Sequence, residues 1–116
     1  MKHQAKTRKL SLKRDQRAAL LVRLARSFFS KGKMHTTQAK AKEIRPMIEK
    51  IISKAKQGDL ASRRVLLRYF SPALTKKIIE EIAPLYKSRA GGYTRIIRLG
   101  ERKSDSAQTV VIELVK

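Results

Sequence analysis

At 116 residues the chain has length for one domain with one modest core. Its 29 Lys and Arg against nine Asp and Glu leave a formal charge of +20, a self-repulsion that a polyanionic partner would relieve. The absence of Cys excludes disulfides, thiolate nucleophiles and zinc fingers. No apolar run reaches the ~18 residues of a membrane helix, and the basic start lacks the apolar segment of a signal peptide.

Charge is densest at the beginning, where residues 1–33 hold eleven Lys and Arg and a single acid, Asp15. Residues 1–12 offer little to a core and read as an extended basic arm ahead of one globular domain over 13–116. A helical pattern starts near Lys13, with Leu20, Leu21, Leu24, Ala25, Phe28 and Phe29 on one arc and Gly32 as a left-handed stop. Residues 33–37 read as a short strand. Thr36 or Thr37 then caps a helix over 38–57 whose inward face is Ala41, Ile44, Ile48, Ile51, Ile52 and Ala55. Arg45 and Glu49 share another face of it, and Pro46 predicts a kink or a split. Gly58 ends that helix and Asp59 caps the next, over 60–69, with Leu60, Leu66, Leu67 and Phe70 inward. Ser71-Pro72 opens a fourth helix that runs to Ala83 and closes at Pro84. Beyond it, the β-branched stretches 93–99 and 109–115 predict an antiparallel pair joined by a polar loop. The expected fold is α+β, with about four helices packed on a small three-stranded sheet and an extended basic N-terminal arm.

Catalysis finds little footing. His3 and His35 have no carboxylate or hydroxyl partner at a recognisable spacing, and no glycine-rich phosphate loop is present. Glu80 and Glu81 point about 100° apart on a helix and read as solvated surface. Glu43 and Glu49 read as ion-pair partners of nearby bases. No enzyme, cofactor, metal site, small-molecule substrate or membrane partner is expected.

Polyanion binding is better supported. Lys2, Lys6, Arg8, Lys9, Lys13, Arg14 and Arg17 form a run suited to a phosphate backbone, a solubilising tail being the plainer alternative. Arg63, Arg64 and Arg68 would ordinarily be a solvated helix face, but few acids stand beside them. In the segment SRAGGYTRI, residues 88–96, Gly91 and Gly92 permit close backbone approach, with Arg89 and Arg95 on either side. Tyr93 serves equally well there as a ring for a base or ribose to pack on and as core at the entrance to a strand. Arg98, further along that strand, joins the candidate set. Aromatics at 5% argue against a single-strand stacking platform and for folded RNA recognised by shape and phosphate.

The stretches MKH at 1–3, RKL at 8–10, TTQAKAKEIRP at 36–46 and EKIISKAK at 49–56 occur in order along the chain. Arg63-Arg64, RAGGYTRI at 89–96 and IELV at 112–115 follow. Together they closely resemble the bacterial large-subunit ribosomal protein family numbered seventeen. The resemblance implies a structural rRNA-binding protein in the cytoplasm, within the large ribosomal subunit. Its partners would be large-subunit rRNA and neighbouring ribosomal proteins, on the side where the nascent-chain tunnel opens. Carried onto this sequence, it adds His3 and Leu10 in the arm, and Thr36, Thr37, Lys40, Lys42 and Arg45 beyond it. It also covers Arg63, Arg64 and the stretch from Arg89 through Arg95, while Glu43 reads as structural. The chain departs from the family's pattern at Gln16-Arg17, and at Ser104, where a glycine would make the tight turn of its loop. Two readings from other classes are weaker. A DNA-compacting protein wants a helix-turn-helix or a dimer seam, and a membrane-active cationic protein wants one long two-faced helix.

Overall fold

The computed structural model describes residues 13–115. The arm over 1–12, with Lys2, His3, Lys6, Arg8, Lys9 and Leu10, lies outside the described residues. Helix α1, Arg14–Lys31, starts after Lys13 and stops at Gly32, whose φ of 80° no side-chain-bearing residue adopts easily. Strand β1, Lys33–Thr37, leads directly into α2, Gln38–Gln57, and the Thr37 hydroxyl accepts the Lys40 amide as the N-cap. Despite Pro46, α2 runs unbroken, so the expected split does not occur. Its buried side chains are Ala41, Ile44, Ile48, Ile51, Ile52 and Ala55, the inward face that the spacing predicts.

The third helix, α3, is Leu60–Leu67, capped by Asp59. It ends two residues early, and of its expected core residues Leu60 and Leu67 face out, at 63% and 43% exposure, whereas Leu66 and Phe70 are buried. With α3 this short, a single stripe reaches the core. The fourth helix changes character along its length. It is α-helical over Pro72–Lys77 (α4), π-helical over Ile78–Ile82 and 3₁₀ over Ala83–Tyr86. Pro84 has no amide to give the Glu80 carbonyl, and just before it the Ala83 amide reaches back five residues to Ile78. Pro84 therefore stands inside the 3₁₀ turn instead of closing the helix.

Strands β2, Thr94–Glu101, and β3, Gln108–Leu114, complete one antiparallel sheet in the order β1-β3-β2. Its inner rows bring Met34, Ile112 and Ile96 against the helices, and the next residue along carries Lys33, Glu113 and Arg95 to the other face. A bulge at Leu99, followed by Gly100 at φ 113°, turns the end of β2. In the loop beyond, the left-handed residue is Ser106, φ 59°, and not Ser104, so the Ser104 departure costs this turn nothing in backbone strain. Asp105 holds that loop through Arg102 at 2.7 Å and the Ala107 amide at 3.1 Å.

Helix α2 is the centre of the molecule, packing on α1, α3, the π and 3₁₀ turns and all three strands. Phe28, Phe29 and Phe70 meet edge to face beside it. Ile48→Ala is therefore expected to lower unfolding free energy by about 2–5 kcal/mol in urea titration, and Leu60→Ala by under about 0.5 kcal/mol. The Asp59 carboxylate accepts the Ser62 amide at 2.7 Å, and hydrogen bonding to Ser62 holds its pKa below the usual carboxylate value. A folded pKa below the unfolded one stabilises fully above about pH 4, and the gain is lost as pH falls through the folded value. Asp59→Ala should accordingly flatten the acid limb of the stability–pH curve.

Candidate nucleic-acid interface

The first turns of α2 lie beside β2, and the shallow groove between them has a volume of about 450 Å³. Lys42, Arg45 and Gln38 form one wall and Arg98 the other, over a floor of Pro46 and Ile96. Three cations converge with no carboxylate among the lining residues. Lys42 and Arg98 are exposed; Arg45 is half-buried, and its guanidinium donates to the Thr94 carbonyl at 3.1 Å. That bond fixes the side chain while leaving most of its N–H donors available.

The position of β2 relative to α2 is set one helical turn further on. Both oxygens of the Glu49 carboxylate are engaged. One accepts the Tyr93 amide at 3.0 Å, the other the Thr94 amide at 2.9 Å and the Thr94 hydroxyl at 2.7 Å. The expectation that Glu49 pairs with a base is thus corrected, because two backbone amides and a hydroxyl take its oxygens. Lys56, two turns further along, donates to the Arg89 carbonyl and, at 3.0 Å, to the Tyr93 hydroxyl. Its ammonium also lies 5.0 Å from the Tyr93 ring centroid. Helix α2 therefore holds the glycine segment at both ends, Arg45 and Glu49 at Thr94 and Lys56 at Arg89.

Tyr93 is core. It is 1% exposed and packs edge to face on Tyr86 at 5.3 Å, so its ring offers no face to a base. Lys56 and Ser53, hydrogen-bonded to the Tyr93 hydroxyl, favour the phenolate and lower its pKa. Burial raises that of Tyr86, whose hydroxyl donates to the Val115 carbonyl at 2.6 Å. Gly91 and Gly92 are exposed, Gly92 at φ 66°, and nothing stands within 4 Å of where a side chain would begin at either.

The other candidates are dispersed. Lys13 and Arg14 sit at the N-terminus of α1 and Arg17 one turn in; there the helix dipole disfavours positive charge. Thr36 lies in β1, Thr37 is the α2 cap, and Lys40 stands in the first turn of α2. Arg63, Arg64 and Arg68 belong to α3 and its end, outside the groove. Arg95 is held by Glu113 at 2.7 Å on the open sheet face, and Arg89 reaches the Gly92 carbonyl at 3.4 Å. Gln38, Glu49 and Lys56 were not among the expected site residues. Glu49 carries only a weak signal, an acid beside a strongly basic segment, and Gln38 carries none.

Over residues 20–115 the sequence matches the profile of the family described as Ribosomal protein L17. A protein of Thermoanaerobacter sp. (strain X514) named "Large ribosomal subunit protein bL17" is 50% identical over 109 residues, covering 93% of this chain and 97% of that protein. Proteins of the same name from Clostridium botulinum (strain Loch Maree / Type A3) and Petrotoga mobilis are 48% and 45% identical, over 93% and 99% of this chain and 96% and 97% of their own lengths.

Replacing Tyr93 tests its core role and the part its hydroxyl plays. Tyr93→Ala should cost about 3–5 kcal/mol of stability, and Tyr93→Phe about 1 kcal/mol for the missing Lys56 bond. RNA affinity of the still-folded Phe variant, read by filter binding, should match the parent protein's, since the hydroxyl is taken by Lys56 and Ser53 within the fold.

Proposed function

The chain belongs to the ribosomal protein L17 family, and from that premise we propose that it is a structural component of the large ribosomal subunit that binds large-subunit rRNA. The family is one of ribosomal proteins, not of enzymes, and its place is the cytoplasmic ribosome. The observation that carries the RNA reading is the groove between α2 and β2, where Lys42, Arg45 and Arg98 meet without a carboxylate. Such a cluster repels itself in the free protein and is stabilised when a phosphate enters. Lys13 and Arg14 at the start of α1 outnumber the one acid of its first turn, Asp15, and place positive charge where the helix dipole disfavours it, which a phosphate backbone along that helix end relieves.

In this reading residues 1–12 are a basic arm that follows the RNA, and residues 13–116 a globular body that grips phosphates from several sides. Arg63, Arg64 and Arg68, with Arg89 and Arg95, make positioning contacts to the backbone and carry no base sequence. Neighbouring large-subunit proteins complete the surroundings.

Deleting residues 2–12 tests the arm. Affinity for purified large-subunit rRNA should fall, and the slope of log K against log salt should flatten in proportion to the cation–phosphate pairs that the arm supplies. An unchanged slope would remove the arm from the binding account.

A further inference from the structure

Helix α2 is assigned without a break across Gln38–Gln57, yet it contains a residue that removes one of its hydrogen bonds. Pro46 has no N–H, so the carbonyl of Lys42, four residues earlier, lacks its ordinary helical donor. Helix carbonyls point toward the C-terminus, which sets this oxygen beside Pro46; Lys42 and Pro46 both line the basic groove. The proline ring also crowds that carbonyl. A hydrogen-bond acceptor thus stands among three cations, a combination that plain phosphate binding does not call for. Cations suit an anion; the acceptor wants a donor attached to the same ligand. A ribose–phosphate unit carries both, with charge on its phosphate and an O–H donor at its 2′ position.

We propose that this groove seats one ribonucleotide unit of an RNA backbone. The phosphate lies against Lys42, Arg45 and Arg98, and the 2′-hydroxyl donates to the Lys42 carbonyl. Arg45 is already immobilised by the Thr94 carbonyl at 3.1 Å, so little of its freedom is given up on binding. Ile96 and Pro46 supply an apolar floor for the sugar. The assignment rests on the RNA-binding reading above and deepens it, because it makes the groove a place where ribose is distinguished from a sugar without the hydroxyl.

The test uses the full chain and two fully paired hairpins of one sequence. One is RNA; in the other each 2′-hydroxyl is replaced by fluorine, which keeps the A-form and the phosphates but cannot donate. The parent protein should bind the RNA hairpin about fivefold more tightly, the effect of one hydrogen bond. Pro46→Ala restores the helical donor and satisfies the Lys42 carbonyl, so the ratio between hairpins should fall toward one. That variant should also fold at least as stably, since alanine favours a helix interior. Lys42→Ala with Arg98→Ala should weaken binding to both hairpins alike and lower the salt slope. A parent protein that does not discriminate, or a Pro46→Ala variant that keeps the full ratio, overturns the hydroxyl bond even where the double variant binds weakly. A double variant with unchanged affinity and slope overturns the groove as an RNA site altogether.

Discussion

The Glu49 carboxylate, in accepting the amides of Tyr93 and Thr94 and the Thr94 hydroxyl, ties the start of β2 to the middle of α2. Strand β2 is an edge strand, paired among the described strands with β3 alone, so this attachment fixes its helix side. The consequence follows from the two-residue period of a strand. With Thr94 pinned, Ile96 faces the core and Arg98 comes opposite Lys42 and Arg45; a slip of one residue would turn both away. A carboxylate accepting three donors is also a strong anchor, because charge-assisted bonds exceed neutral ones and removing any partner would leave a half-buried charge less well satisfied. Arg45 and Lys56, to either side of it on α2, complete the attachment.

That anchor lets the molecule tolerate its own charge. The core, from Phe28 and Phe29 through the isoleucines of α2 to Ile112, is apolar and wraps one helix, while cations gather at its edges. Repulsion among Lys42, Arg45 and Arg98 would spread a loosely held strand away from its helix. With the strand fixed, the same repulsion becomes a preference for an anion in the groove, and the proposed RNA partner relieves it. Pro46 fits the same arrangement: a residue that weakens the helix locally opens an acceptor where the ligand is expected.

Local features were legible in the sequence because their causes are local. Gly32 and Gly58 stop helices through left-handed φ, Thr37, Asp59 and Ser71 cap them, and β1 runs over the five residues that the spacing indicates. The isoleucine stripe of α2 was equally readable, since its period is fixed by the helix. Features set by packing between distant segments were not. Leu60 and Leu67 have core chemistry but sit on a helix too short and too peripheral to bury them. Tyr93 could be read as a binding ring or as core until its partners Tyr86 and Lys56 appeared, 7 and 37 residues away. For Glu49 the nearby bases suggested ion pairs, whereas its partners lie 44 and 45 residues on. The cations of the groove were each named from the sequence, but nothing in it showed that Lys42, Arg45 and Arg98 share one wall-to-wall site.

Native-state hydrogen exchange at the Tyr93 and Thr94 amides tests the central claim most directly. If the Glu49 carboxylate anchors β2, both amides in the free protein exchange as slowly as those of β3 and open only with global unfolding. Exchange at the rate of an open glycine loop, with β3 still protected, would show that the strand start is not held by α2 and that the groove is not preformed.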